Sequence, residues 1–104
     1  MGVKITQDGV ECTALLEGDI DHHTAKLIRE AIDDYITKKR PSTLYLDFGR
    51  VRFMDSSGIG LIMGRYKNIK LLGGELWVVG ASDSTKRIIK LSGLGALGVM
   101  KEER

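Results

Sequence analysis

The sequence has 104 residues, 42% of them hydrophobic, which is enough to bury one core but hardly two, so we expect a single domain over residues 1–104. The 16 Lys and Arg residues exceed the 14 Asp and Glu residues by only two and are spread along the chain, so nucleic-acid binding gains no support. Cys12 is the only cysteine, which excludes an intramolecular disulfide and a multi-cysteine zinc site and favours a reducing compartment.

Membrane insertion and secretion are both disfavoured by the pattern of apolar residues. No apolar run approaches the roughly 20 residues that cross a bilayer. The N-terminus lacks the charged and then apolar segments of a signal peptide. We therefore expect a cytoplasmic protein with no membrane partner.

The first third of the chain predicts a β-hairpin followed by a helix. Val3–Thr6 and residues 10–16 alternate apolar and polar side chains, and Asp8-Gly9 is a good turn signal between them. Apolar residues then recur at helical spacing over about 22–39, with charged residues between them. Pro41 ends this amphipathic helix.

The remainder predicts strands that alternate with helices. A central strand begins at Thr43 and continues toward Phe53, and a helix then extends from about residue 57 to a glycine pair at 73–74. Glu75–Val79 is a buried strand, and Ser82 starts another helix. Leu97–Met100 is predicted as a short last strand.

The predicted order is therefore β-β-α-β-α-β-α-β. Crossover helices imply parallel strand pairing, while the initial β-hairpin adds an antiparallel pair, so the sheet is mixed. We expect an α/β domain with four to five strands covered by amphipathic helices. The segments at Gly18–Asp21 and Phe53–Gly58 each follow a strand and open a helix, so they share one sheet edge if both strands point the same way.

Asp55-Ser56-Ser57 stands at the start of the second helix. Unpaired N–H groups and the positive end of the macrodipole favour an anion there, so Ser56 or Ser57 is a candidate phosphorylation site. Simple helix capping by one of the three residues is the competing interpretation. Gly58 and Gly60 follow in the first turn, where glycine is costly, and suggest close approach of a strand or a partner.

Two enzymatic interpretations compete with a binding role. Asp55 beside a serine, with His22 and His23 elsewhere, is compatible with a Ser-His-Asp hydrolase, but the Gly-x-Ser-x-Gly turn is missing. Asp47 near a strand end resembles the phosphoacceptor of receiver domains, but the acidic pair that holds magnesium is absent, and a solvated strand end is favoured. The adjacent histidines diverge by about 100° on a helix and make a poor metal pair, so first-turn solvation or partner contact is favoured.

Four segments together resemble a known family. They are Gly18-Asp19-Ile20-Asp21-His22-His23-Thr24-Ala25, Phe53-Met54-Asp55-Ser56-Ser57-Gly58-Ile59-Gly60, and Gly64-Arg65-Tyr66-Lys67 with the later Gly73-Gly74-Glu75. This pattern, from about residue 3 to 100, resembles the anti-sigma factor antagonists, which are single STAS domains, and most of all those of the sporulation sigma-F pathway.

The resemblance implies a phosphorylation-controlled binding protein with no catalysis and no cofactor or metal of its own. The serine directly after the motif aspartate, here Ser56, is the implied phosphoacceptor. The unphosphorylated form is implied to bind an anti-sigma factor that is a GHKL-type serine kinase and so to free a sigma factor. Phosphorylation by that kinase breaks the complex, and a metal-dependent serine phosphatase restores it. The expected partner-binding residues are Asp19, Asp21, His22, His23, Asp55, Ser57, Gly58, Ile59 and Gly60.

The alternatives left open are a STAS scaffold or sensor that acts on a different partner, such as a stress-signalling complex or a transporter, and a small serine hydrolase.

Overall fold

The computed structural model describes residues 2–101. Strands β1 (Gly2–Asp8) and β2 (Glu11–Ile20) are followed by helix α1 (His22–Lys39) and strand β3 (Thr43–Met54). Helix α2 (Ser56–Leu71), strand β4 (Glu75–Val79), helix α3 (Asp83–Leu91) and a 3-10 turn (Leu94–Leu97) complete the chain. The predicted α/β fold with a mixed sheet is confirmed.

The four strands lie in the order β1-β2-β3-β4. β1 pairs antiparallel with β2, while β2 with β3 and β3 with β4 are parallel pairs. The expected hairpin is present, although its strands extend to Asp8 and from Glu11, so the turn is Gly9-Val10.

The predicted fifth strand is wrong as an element. Leu94–Leu97 forms a 3-10 turn, and only Met100 makes an isolated parallel bridge to Val78. The reason is the glycine content: Gly93 and Gly98 flank the turn with positive φ values of 90° and 70°, a conformation that interrupts an extended strand. Leu91, expected on the apolar side of α3, is also exposed.

Helices α1 and α2 pack against each other and against the sheet. The inward residues of α1 recur at intervals of four, and those of α2 include the adjacent Leu61 and Ile62 and, seven residues after Ile62, Ile69, so each set lies on one side of its helix. Burying each such aliphatic side chain stabilises the fold by roughly 1.5 to 3 kcal/mol. The buried helical residues include Ile28, Ile32 and Ile36 of α1 and Leu61, Ile62 and Ile69 of α2, and they meet Ala14, Leu16, Leu46, Phe48 and Val78 of the sheet.

β2 and β3 continue together beyond the end of β4. The β3–β4 register ends at Asp47 and Val79, whereas the β2–β3 register continues to Ile20 and Met54. Register shifts after Leu15 and Gly18 accompany this continuation. The two central strands therefore carry the starts of α1 and α2 past the body of the sheet.

Candidate partner-binding site

The two helix starts are held side by side by their strands. Ile20 and Met54 are register partners at the ends of β2 and β3. The backbone N–H of Asp55 donates a 3.1 Å hydrogen bond to the carbonyl oxygen of Ile20. The expectation that the two strand-to-helix segments share one sheet edge is thus confirmed.

Asp21 caps α1. Its Oδ1 accepts hydrogen bonds from the N–H of His23 at 2.9 Å and of Thr24 at 3.0 Å, and its own N–H donates to the Thr24 hydroxyl at 2.9 Å. This reciprocal pattern is a capping box. The hydrogen bond from Thr24 N–H, followed by that from His23, lowers the pKa of Asp21 because both favour the charged carboxylate.

The two histidines of the first α1 turn are exposed, and their ring centroids lie 5.6 Å apart at an interplanar angle of 69°. Neither ring accepts or donates a hydrogen bond among residues 2–101. Within the same residues, no group of three or more His, Cys, Asp or Glu side chains is arranged to hold a metal ion. The histidines are thus free to contact a partner.

Asp55, rather than either serine, caps α2. It has an extended backbone, and its Oδ1 accepts a 2.8 Å hydrogen bond from the N–H of Ser57. Ser57 is half-buried, while Ser56 is exposed and its hydroxyl makes no hydrogen bond within residues 2–101. Of the two serines, Ser56 therefore presents the more accessible hydroxyl.

The two glycines of the first α2 turn have different surroundings. A Cβ on Gly58 would lie 2.1 Å from Sδ of Met54, so this glycine allows the helix to approach the end of β3. Gly58 is therefore buried and Ile59 half-buried, although both were predicted to contact a partner. A Cβ on Gly60 would meet nothing within 4 Å, so that position opens to the surface.

A groove of about 310 Å³ lies between the N-terminal halves of α1 and α2. We call it the basic groove, and its lining residues are His22, Ala25, Lys26, Arg29, Ser57, Gly60 and Leu61. Lys26 and Arg29 were not among the predicted site residues. Their spacing of four and seven from His22 was the available signal, because it places all three on one face of a helix.

Phe53 belongs to the predicted strand-to-helix segment but was not among the predicted partner-binding residues, and its side chain is 58% exposed two residues before Asp55. Large exposed aromatic side chains are common anchors of protein interfaces.

On the same part of β2 and β3, Asp19 pairs with Arg52 at 3.5 Å and Glu17 with Arg50 at 3.6 Å. These pairs are exposed and contribute little to stability.

Among residues 2–101, the side chains do not have the arrangement that either enzymatic interpretation requires. The carboxylates of Asp21 and Asp55 bind backbone N–H groups of their own helices, and no histidine is hydrogen-bonded to a serine among residues 2–101. Asp47 lies within β3 rather than at its end, and its Oδ1 accepts the N–H of Gly49 at 2.8 Å. No helix within the described part of the chain has the length and apolar character of a membrane span.

Two curated relatives share much of the sequence. An anti-sigma F factor antagonist of Paenibacillus polymyxa is 39% identical over 79 residues, which are 76% of this chain and 68% of the relative. An anti-sigma-B factor antagonist of Listeria monocytogenes is 35% identical over 77 residues, which are 74% of this chain and 67% of the relative.

The fold is similar to that of the anti-sigma factor antagonist SpoIIAA, which has been solved in two forms. The unphosphorylated form superposes with a TM-score of 0.86 at 28% identity, covering 99% of this chain and 89% of SpoIIAA. The phosphorylated Bacillus form gives 0.78 at 28% identity, covering 99% and 92%. Residues 3–102 match the STAS domain family, and the chain belongs to that family.

Proposed function

We propose that this protein is a single-domain anti-sigma factor antagonist switched by phosphorylation of Ser56. In the unphosphorylated state it binds an anti-sigma factor that is a GHKL-type serine kinase, and the bound sigma factor is released. The same kinase phosphorylates Ser56 and so ends the interaction, and a metal-dependent serine phosphatase resets it in the cytoplasm. The protein itself performs no catalysis.

The observation that carries the proposal is the position of Ser56. Its hydroxyl is exposed and free of hydrogen bonds within residues 2–101, at the first position of α2, while Asp55 supplies the helix cap. A kinase can therefore reach the hydroxyl without unfolding the helix start. The existence of SpoIIAA in an unphosphorylated and a phosphorylated form supports a switch of this kind in the family.

The chemistry of phosphoserine accounts for the direction of the switch. A phosphate adds about 1.5 to 2 negative charges. The N-terminal end of α2 tolerates that charge, so the fold of the antagonist is retained. At a protein interface, the same charge brings bulk and a desolvation cost of a few kcal/mol, and about 1.4 kcal/mol per tenfold makes that roughly a hundredfold loss of affinity.

Phosphosite mapping tests the proposal. The probe is the anti-sigma F factor that the Paenibacillus polymyxa relative antagonises, incubated with ATP and with the wild type, Ser56→Ala or Ser57→Ala. We expect one phosphate on the wild type and on Ser57→Ala, and none on Ser56→Ala, which still binds the kinase. Phosphate found on Ser57 of the Ser56→Ala variant, at the wild-type stoichiometry, would show that the acceptor is wrong.

A second candidate is the same switch acting on a stress-signalling partner. It is favoured by the 35% identity to the anti-sigma-B factor antagonist of Listeria monocytogenes. Side-by-side calorimetry with the anti-sigma F and anti-sigma-B factors of the two relatives distinguishes the two, because the cognate partner binds with the higher affinity. An assay with an activated ester and an active-site serine probe addresses the hydrolase alternative, for which we expect no turnover and no labelling.

A further inference from the structure

The basic groove concentrates positive charge beside Ser57, the residue after Ser56. His22, Lys26 and Arg29 line it at intervals of four and three residues along α1, so they stand on the face turned toward α2. Neither Asp nor Glu is among its lining residues. On a chain whose net charge is only +2, this local excess of cations is distinctive.

The charge of this face is not neutralised from within the domain. Among residues 2–101, Asp34 pairs with Lys38 at 3.2 Å and Asp33 with Arg65 at 2.7 Å, while Glu30, the residue after Arg29, does not line the groove. Lys26 and Arg29 take part in none of the ion pairs found over the same residues. Two exposed cations are thus left without a carboxylate.

A third basic residue, Arg65 of α2, lies close enough to Arg29 for their charges to interact. Arg65 of α2 is only 4% exposed, and its Nη1 has no hydrogen-bond partner within residues 2–101. Burial lowers the pKa of Arg65, the paired carboxylate of Asp33 opposes this shift, and the nearby charge of Arg29 adds to it. Asp33 compensates the charge of Arg65, so the unpaired positive charge of the groove belongs to Lys26 and Arg29.

The groove also shares residues with the predicted partner-binding site. His22, Ser57 and Gly60 belong to both, and Ser56 is the immediate neighbour of Ser57. Because a Cβ on Gly60 would meet nothing within 4 Å, the groove is open to the surface on its α2 side at this residue. A partner that covers Ser56 therefore also covers the mouth of the groove.

We propose that the basic groove binds a carboxylate-bearing segment of the anti-sigma factor, with Lys26 and Arg29 as its charged contacts. This inference rests on the proposed function and adds the chemistry of the partner. Charge-assisted hydrogen bonds to carboxylates are stronger than neutral ones, and complementary charges also speed association. Ser56 precedes the groove residue Ser57, so a phosphate on Ser56 brings negative charge to the edge of the groove and competes with the carboxylates of the partner.

Charge reversal with a matched control tests the groove. The double variant Lys26→Glu and Arg29→Glu is compared with Lys4→Glu and Lys67→Glu, which changes the net charge equally at two exposed positions outside the groove. Calorimetry uses the anti-sigma F factor of the Paenibacillus polymyxa relative. We expect the groove variant to lose at least about tenfold in affinity, and the control variant to stay within about twofold. Equal affinities of the two variants would overturn the proposal.

A second measurement separates failure of the groove from failure of the proposed function. A glutamate decapeptide at low salt is titrated into the wild type and followed by amide NMR shifts, and we expect the largest shifts at Ser57 and Gly60 and their loss in the groove variant. If the wild type binds no anti-sigma factor but shows these shifts, the proposed function is wrong and the groove is an acidic-peptide site. If the shifts are absent or spread evenly over the basic residues, the groove proposal is wrong.

Discussion

The backbone N–H of Asp55 donates to the carbonyl oxygen of Ile20 at 3.1 Å, which joins the N-cap of α2 to the end of the strand that leads into α1. The two helices consequently begin at the same level, with His22 and Ser57 facing one groove. A partner that binds at Ser56 therefore contacts the starts of both helices. The pairing of two parallel strands sets this juxtaposition, and no side-chain contact between the helix starts is needed.

A carboxylate in place of the Ser56 hydroxyl should reproduce part of the switch. Ser56→Asp brings one negative charge where a phosphate brings about 1.5 to 2, so we expect roughly a tenfold loss of affinity for the anti-sigma F factor rather than a hundredfold one. Ser56→Asn has a similar size and no charge, and it should bind more tightly than Ser56→Asp. Calorimetry measures both, and identical affinities for the two variants would indicate that bulk, not charge, opposes binding.

Gly58 and Gly60 should respond oppositely to alanine. In Gly58→Ala the new Cβ would fall 2.1 Å from Sδ of Met54, a buried side chain, so we expect destabilisation by about 1 to 3 kcal/mol. Gly60→Ala meets nothing within 4 Å and should stabilise α2 by up to about 1 kcal/mol. Urea unfolding measures both free energies. A stable Gly58→Ala protein would mean that Met54 moves aside at little cost.

The helices and strands were predictable where periodicity and end signals agree. The α1 boundaries at His22 and Lys39 follow from a regular apolar spacing and from Pro41, and β4 follows from a short apolar run after two glycines. The segment after Ser92 carries no such agreement, because its apolar residues alternate with glycines in a way that suits a short strand and a 3-10 turn equally. The structure distinguishes them through the positive φ values of Gly93 and Gly98, which interrupt an extended strand.

Strand topology was enough to predict where the candidate site lies, but not the role of each residue in it. Asp55, Ser56 and Ser57 are all favoured cap residues, so sequence alone could not say which one caps α2. The structure decides it through the extended backbone of Asp55 and its bond to the N–H of Ser57. Lys26 and Arg29 were missed because a charge on an exposed helix face gains meaning only when the neighbouring helix is placed beside it.

The ion pair between Asp33 and Arg65 should contribute far more to stability than the pair between Asp34 and Lys38. The Arg65 side chain is 5% exposed, so Asp33→Ala leaves a buried charge unpaired and should cost roughly 3 kcal/mol. Asp34→Ala removes a pair whose side chains are both more than half exposed, and it should cost less than about 0.5 kcal/mol. Urea unfolding gives the two values, and similar losses would mean that water reaches the Arg65 guanidinium.

Arg65→Met provides the complementary variant of the same ion pair. It removes the buried charge and keeps an unbranched apolar side chain, while Asp33 remains accessible to water and still accepts a 2.9 Å hydrogen bond from Asn68. We therefore expect a smaller loss than in Asp33→Ala, since replacing a buried ion pair by apolar groups is often close to neutral. A larger loss of stability than in Asp33→Ala would mean that Arg65 stabilises the fold mainly through packing rather than through its ion pair.

The cap of α1 should make stability depend on pH in acid. The hydrogen bonds from Thr24 and His23 hold the pKa of Asp21 below its ordinary value of 3.8, so folding favours the charged form. This contribution is fully present above 3.8 and is lost as the pH falls through the lower pKa of the folded state. The melting temperature of Asp21→Ala should therefore lie below that of the wild type at neutral pH, and the difference between the two should narrow on acidification. Thermal melts at stepped pH measure this difference. A difference that widens in acid would show that the cap does not favour the charged carboxylate.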